Sequence, residues 1–400
     1  MKQVELSFQR MNEDIYRIEK VFKGEDYAWQ GDWEGRVLLA FNCLYEITGR
    51  EIECMHEMIA RLPEKTNERL YLGREFDGEL LDEQQVFGHS WYLRGLLAYD
   101  KNFGSETAME AARSTVRHLY LPALSHFERY PMERERTGDV CGGIIGVVDQ
   151  WKVTSDVGAA FACVDGLSAF FERTGDGECR RVLDVIIEKF ASADFLKHSF
   201  QTHSTLSCTR GILRMYEATG EEKYLALAKK TFGIYVERGM TLTYENYNWF
   251  GREDTWTEPC AVTDSLILAV WLYRITRDEA YRTLARRIWF NGLQFCQRSN
   301  GGAGTNTCVR VGQPFLRIGR RYEAPYCCTM RYPEALLCYH QNKELFAWDG
   351  EALEEVDEYG RHFVDDRLMV EHEGVRKPIF SCRSYSEEEA RALSLRVLYS

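Results

Sequence analysis

Ala218-Thr219-Gly220, with Tyr224-Leu225-Ala226-Leu227-Ala228 following it, is the stretch from which the architecture of this 400-residue chain can be read. An apolar helix runs up to Ala218, and a glycine just past a helix end supplies the left-handed turn that stops it. A second amphipathic helix then starts. The same punctuation returns at Ile47-Thr48-Gly49 and Arg173-Thr174-Gly175, and Ile275-Thr276-Arg277 holds the equivalent place in a fourth copy. Each copy is a helical hairpin. A hairpin cannot bury its own apolar face, so neighbouring hairpins have to stack. Helices before Asp100 and after Ser105 form a further, divergent pair. About a dozen helices fall between Phe8 and Tyr339, with few convincing strands among them. That number of hairpins predicts an all-α fold, an (α/α)6 barrel. An open helical solenoid has the same periodicity, which does not choose between the two.

Residues 341–400 have a different character. They are charged, and alternations such as Arg367-Leu368-Met369-Val370-Glu371 and Leu395-Arg396-Val397-Leu398 predict short strands. The expected organisation is a barrel over 1–340 and a short β-containing tail over 341–400, used for packing or for self-association into a homo-oligomer. Apolar residues make up 45% of the chain, enough for a sizeable core. A net charge of −12 argues against nucleic acid or an anionic membrane as partner. No apolar run is long enough to span a bilayer. Met1-Lys2-Gln3-Val4-Glu5 has no apolar signal core, and 13 cysteines without regular spacing fit reduced thiols. The expected location is therefore cytoplasmic.

The chemistry concentrates in Thr255-Trp256-Thr257-Glu258-Pro259-Cys260 and Tyr326-Cys327-Cys328, which together offer one carboxylate and three thiols. Zinc takes four N, S or O ligands in a tetrahedron, its cysteines as thiolates. Glu258 and Cys260 cannot share a face inside a regular helix, since residues two apart do not face each other. They can at a helix start, where Pro259 is favoured at the first helical position. An apolar helix follows, with Leu266, Val270 and Tyr273 on one face and Ile267 and Trp271 beside it. Adjacent cysteines point to opposite faces of a strand. Cys327 and Cys328 therefore need an irregular loop to share a metal, and Ala324-Pro325 is compatible with one. Residue types alone leave three readings open: a four-ligand Zn2+ site, free cysteines buried as small hydrophobes, and a vicinal disulfide. The separation of Cys260 from Cys327 matches no standard finger.

Residues between hairpins should line the barrel mouth. Trp29-Gln30-Gly31-Asp32-Trp33-Glu34 is polar and aromatic just before a helix, and Asp32 suits a helix cap there. His89 opens the next inner helix. Gly142-Gly143-x-x-Gly146 lacks the strand and the Lys-Ser/Thr partner of a phosphate loop; the same stretch holds Asp149, Gln150 and Trp151. Gln201-Thr202-His203-Ser204 starts another helix. Tyr244-Glu245-Asn246-Tyr247-Asn248-Trp249-Phe250 mixes aromatic faces with amides, as carbohydrate sites do, and supplies Asn248 and Trp249 as substrate contacts alongside Gln30 and His89. Gly301-Gly302-Ala303-Gly304 marks a sharp turn or a close approach and reads as part of the site wall. Arg317, Arg320 and Arg321 could offset a thiolate-rich centre.

Taken together, the Glu-x-Cys at Glu258 and Cys260, the later Cys327-Cys328 and the Leu-Tyr-x-x-Thr-Gly-x-x-x-Tyr-Leu link between helices resemble glycoside hydrolase family 127, the retaining β-L-arabinofuranosidases, from about Trp29 to Tyr339. The resemblance implies the (α/α)6 barrel, a carbohydrate substrate, and zinc held by Glu258, Cys260, Cys327 and Cys328. It implies Cys327 as nucleophile and Glu245 as acid/base, with Glu253 and Asp254 as rivals in the same loop. His203 falls near a sugar-binding histidine of the family. A second family histidine has no counterpart near Ala162. Two other classes stay open. One is an epimerase or lyase on the same barrel, with His89 and His203 as proton shuttles. The other is a non-catalytic protein with a structural zinc.

Overall fold

The computed structural model describes residues 2–23, 28–134, 141–309, 323–347, 354–357, 361–365, 367–372 and 374–378. Arg317, Arg320, Arg321 and the Leu395-Arg396-Val397-Leu398 alternation lie outside the described residues. The described residues are mostly helical. Strands among the described residues are confined to three small sheets, and no described helix is long and apolar enough to cross a membrane. The chain divides into two compact units, one of Met11–Phe232 and one of Met1–Arg10 with Gly233–Ser400.

In the Met11–Phe232 unit the long helices Asp32–Thr48, Glu83–Phe103, Cys163–Thr174 and Thr202–Thr219 lie side by side in chain order. Glycines let their backbones touch. A Cβ on Gly35 would sit 2.0 Å from the carbonyl carbon of Trp91, and one on Gly95 would sit 2.5 Å from the Gly35 oxygen. Gly166 meets the Ser90 oxygen, and Gly211 the Val164 oxygen, at the same 2.5 Å. Such close helices bury their polar groups with them. Asp165 is fully buried between Arg94 and Arg214. Burial alone would push its carboxyl up, but Arg210, Arg94 and Arg214 hold it well below the ordinary carboxylate range.

The helix ends follow the threonine–glycine rule. Gly49, Gly175 and Gly220 adopt φ of 68°, 68° and 71°, and Arg277 takes the same left-handed turn at 59° although it carries a Cβ. At all four ends the threonine works twice. Oγ1 of Thr48, Thr174, Thr219 and Thr276 donates to the carbonyl four residues back at 2.7–2.8 Å. The same oxygen accepts the N–H two residues on, at 3.1–3.3 Å. The first is a second bond onto a carbonyl that already accepts in the helix ladder, and the second satisfies an N–H just beyond the helix end.

Some local expectations are corrected. The cap before Asp32 is Gly31, at φ 91°, whose N–H donates to Glu34 Oε2 at 3.0 Å. Asp32 instead accepts from Arg36 Nε at 2.5 Å. The glycine-rich stretch becomes a β-hairpin. Ile144–Val148 pairs antiparallel with Trp151–Thr154. Asp149 and Gln150 turn between them at φ 46° and 65°, as a two-residue hairpin of the right twist requires. Leu81–Asp82 completes this sheet, parallel to Trp151–Thr154.

In the other unit, Pro259–Thr276 packs against Cys328–Gln341. Its burial is not confined to one face. Leu268 and Leu272 are as buried as Leu266, while Tyr273 is only half-buried, the pattern of a helix enclosed by its surroundings. The tail forms an antiparallel sheet of Glu355–Val356, Arg361–Val364, Arg367–His372 and Val375–Pro378. It braces the segment that leads into Glu245. Arg361 Nη1 donates to the Thr241 carbonyl at 3.1 Å, and the Tyr244 hydroxyl donates to Asp357 at 2.8 Å.

Candidate functional site

Two helix starts bring the cluster together. Glu258 is the residue before Pro259–Thr276, and Cys260 is the second residue of that helix. Cys327, with φ −142° and ψ −92°, precedes Cys328–Gln341, whose first residue is Cys328. The extended residue ahead of one helix and the bend ahead of the other turn alternate or adjacent side chains to the same side. Their four ligand atoms all lie within 4.8 Å of one another, a group that could hold a metal ion. Cys260 Sγ is 3.4 Å from Cys327 Sγ and 3.8 Å from Cys328 Sγ, and the two adjacent sulfurs are 3.9 Å apart. Glu258 Oε1 lies 3.7 Å from Cys327 Sγ. Helix N-termini are positive ends and favour thiolates. Without a cation, the sulfurs of Cys260 and Cys327, and then burial, push the Cys328 thiol well above its ordinary value. A bound cation would take the place of the shared protons.

Neighbouring groups fix both helix starts. Asn246 Oδ1 accepts the Glu258 N–H at 2.7 Å. The glycine-rich loop backs the start of Cys328–Gln341. The Ala303 N–H donates to Thr329 Oγ1 at 3.0 Å, and the Ala324 N–H donates to the Ala303 carbonyl at 2.9 Å. A Cβ on Gly302 would meet Glu323 Oε2 at 2.5 Å, so a larger residue there would have to displace that carboxylate. Asn246 was not singled out from sequence. Its place between Glu245 and the aromatic run was the only signal, and that signal does not show which N–H it accepts.

Glu245 lies beside a pair of short strands. The strands Trp256–Thr257 and Asn306–Thr307 pair antiparallel, and Glu245 is fully buried beside them. Thr243 Oγ1 donates to its Oε2 at 2.7 Å and Asn306 Nδ2 to its Oε1 at 2.9 Å. Cys296 Sγ lies 3.9 Å from the same Oε1. The rivals are elsewhere: Glu253 and Asp254 are exposed, and Asp254 is paired with Arg252 at 2.9 Å. Asn248 is buried, its N–H donating to Thr255 Oγ1 at 2.9 Å. Trp249 is fully buried edge-on to Trp256, with ring centres 5.1 Å apart, so its face is not open to solvent.

The remaining candidates belong to the Met11–Phe232 unit. His89 does not open its helix; it lies well inside Glu83–Phe103. Its Nδ1 is 2.8 Å from the Gln85 carbonyl, and the Leu72 N–H donates to its Nε2 at 3.0 Å. Both nitrogens are thus engaged with backbone, which sets the tautomer and leaves neither for a sugar or a proton shuttle. Burial lowers its pKa to about 4, so the ring is neutral. His203, the second residue of Thr202–Thr219, stacks on Trp91 with ring centres 5.6 Å apart and approaches Arg36 at 3.4 Å. Gln30 lines a cavity of about 310 Å³ with Phe76, Asp82 and Lys152.

Residues 162–307 match the family model described as "Beta-L-arabinofuranosidase, GH127 catalytic domain". No curated protein matches the chain in sequence. Among solved structures, one titled as a family 127 β-arabinofuranosidase shares 11% identity at a TM-score of 0.53, over 84% of this chain and 56% of that one. This chain therefore spans little more than half of that protein. A β-L-arabinofuranosidase of the same family from Geobacillus stearothermophilus shares 12% at a TM-score of 0.51, over 94% of this chain and 66% of the other. A cellobiose 2-epimerase from Bacillus thermoamylovorans shares 14% at a TM-score of 0.56, over 78% of this chain and 87% of the other. At these identities the likeness is one of fold, and it is the (α/α)6 barrel fold.

Proposed function

Because the resemblance to the glycoside hydrolase family 127 catalytic domain holds over residues 162–307, we propose that this chain is a retaining glycoside hydrolase acting on a furanoside such as a β-L-arabinofuranoside. The observation that carries the reading is the cluster of Glu258, Cys260, Cys327 and Cys328. Ligand atoms in a tetrahedron with metal–sulfur bonds of ~2.3 Å lie roughly 3.8 Å apart. The sulfurs stand 3.4, 3.8 and 3.9 Å apart, so three thiolates and a carboxylate suit zinc. The ion would supply the charge that keeps the cysteines deprotonated near neutral pH.

Cys327 is the nucleophile in this proposal, because it is half-exposed while Cys260 and Cys328 are buried. Its sulfur attacks the anomeric carbon as the bond to the leaving oxygen breaks, and Glu245 gives that oxygen a proton. Glu245 then takes a proton from water, whose oxygen displaces the sulfur and restores the starting configuration. Cys260, Cys328 and Glu258 hold the metal, and Asn246 positions Glu258. His203 remains a substrate-binding candidate. An epimerase or lyase needs histidine or tyrosine proton shuttles, and the engagement of both His89 nitrogens removes one of the two histidines suited to that role.

A screen of aryl glycosides, aryl β-L-arabinofuranoside first, tests this proposal. Hydrolysis with retention of configuration is expected. It should disappear with a chelator and return on adding zinc. A zinc-loaded protein that cleaves none of the panel would overturn the reading.

A further inference from the structure

We propose that the cavity lined by Gln30, Phe76, Leu80, Asp82, Gln85 and Lys152, within the Met11–Phe232 unit, is a ligand site for an uncharged saccharide. The choice of saccharide rests on the carbohydrate reading above; the existence of the site does not. The cavity holds about 310 Å³, the lower end of the range for small-molecule sites.

One wall is a sheet face. Asp82 and Lys152 are partners on the paired strands Leu81–Asp82 and Trp151–Thr154, and their side chains bond at 2.7 Å. More of the lining comes from the loop from Gly73 to Leu80, and that loop is tied down at both ends. The Tyr71 hydroxyl accepts the Phe76 N–H at 2.7 Å, and Gln85 Nε2 donates to the Leu72 and Arg74 carbonyls at 2.8 Å each. Asn67 Nδ2 donates to the Gly73 carbonyl at 3.0 Å, and His126 Nε2 lies 3.1 Å from the Glu79 carbonyl. A site formed in advance does not lose affinity to loop ordering.

The lining chemistry selects the ligand class. Lys152 is matched by Asp82, Arg74 by Asp77, and Glu75 by Arg69 at 3.5 Å. With each formal charge already paired, a charged ligand gains little net attraction. Phe76 is half-buried and set edge-on to His126 at 5.3 Å, offering an apolar ring for the C–H face of a sugar. The Gln30 amide makes no hydrogen bond to another described residue, and its stem is held by Gly73, where a Cβ would meet Gln30 Cγ at 2.9 Å. An amide that donates and accepts, beside a carboxylate–ammonium pair, fits adjacent hydroxyls.

The test is saturation-transfer NMR with cellobiose and methyl β-L-arabinofuranoside on the zinc-loaded protein, with D-glucuronate as the charged contrast. At least one neutral sugar should bind, and Phe76→Ala should weaken it by about tenfold or more. Gln30→Ala should weaken the same sugar. Tighter binding of glucuronate, no binding of either neutral sugar, or wild-type affinity in both variants would overturn the proposal. Hydrolysis is assayed separately: its absence counts against the glycosidase reading, while saccharide binding that depends on Phe76 still supports this site.

Discussion

Cys327 differs from its two partner sulfurs in one respect that chemistry can use: it is half-exposed, and they are buried. A nucleophile must be reached, whereas a ligand only has to be held. The expected outcome is that Cys327→Ser loses turnover by several orders of magnitude and keeps a wild-type circular dichroism spectrum. On the zinc proposal Cys260→Ala removes a buried ligand instead, so metal analysis should show depleted zinc together with the lost activity. Wild-type turnover in Cys327→Ser would remove the nucleophile assignment. The four residues of this cluster were singled out from sequence by the family resemblance, since residue types alone left a zinc site, buried free cysteines and a vicinal disulfide open; the structure brings their ligand atoms together. Asn246 was not, because its role is one hydrogen bond to the Glu258 N–H across 12 residues of chain. Nor was the engagement of His89, whose partners Gln85 and Leu72 are backbone groups that carry no sequence signature.

The helix hairpin is the element that repeats, and its end is where a substitution can be read most cleanly. Arg277 stands where the other three copies have glycine and is held at φ 59°. The left-handed turn costs a residue with a Cβ roughly 1–2 kcal/mol. Against that, a cation at a helix C-terminus contributes about 0.3–1 kcal/mol, and Arg277 also lies over the Tyr273 ring at 5.8 Å. Strain outweighs the charge, so Arg277→Gly should stabilise the protein by about 0.5 kcal/mol, read as a rise in the denaturant midpoint. A lowered midpoint would mean that the charge and ring contacts together exceed the cost of the turn. The tail sheet acts at this scale as well. By binding Thr241 and Tyr244 it fixes the segment that delivers Glu245, which is a packing role for residues beyond 341.

At the scale of the molecule, two buried groups set opposing pH dependences. Burial, and then the charge of Asp32, raises Glu34 from 4.5 to about 8. The folded chain holds that proton more tightly, so this stability is full below the unfolded value and is lost as pH rises through 8. Burial lowers His89 from 6.5 to about 4. Its contribution is full above 6.5 and is lost as pH falls through 4. Between 4.5 and 6.5 the two slopes oppose each other, and above 6.5 only Glu34 still titrates. The wild type should therefore lose on the order of 2 kcal/mol between pH 6.5 and 8. Glu34→Gln keeps an acceptor for the Gly31 N–H and should stay flat over that range. Urea midpoints measured on both proteins at several pH values decide it, and parallel curves would count against a buried neutral Glu34.

Ala218-Thr219-Gly220 and its copies determined the hairpin repeat by themselves, because a helix stop is local: a hydroxyl, a left-handed residue and one turn of backbone suffice. The candidate ligand residues were also local, each pair lying at one helix start. What closes them into a centre is not local. The 3.4 Å approach of Cys260 to Cys327 depends on the packing of Pro259–Thr276 against Cys328–Gln341. Burial of Glu34, engagement of both His89 nitrogens and the cavity over Asp82 and Lys152 likewise exist only once distant backbone groups meet. Composition and periodicity register which residues turn inward, but not which carbonyl, N–H or sulfur each of them meets there.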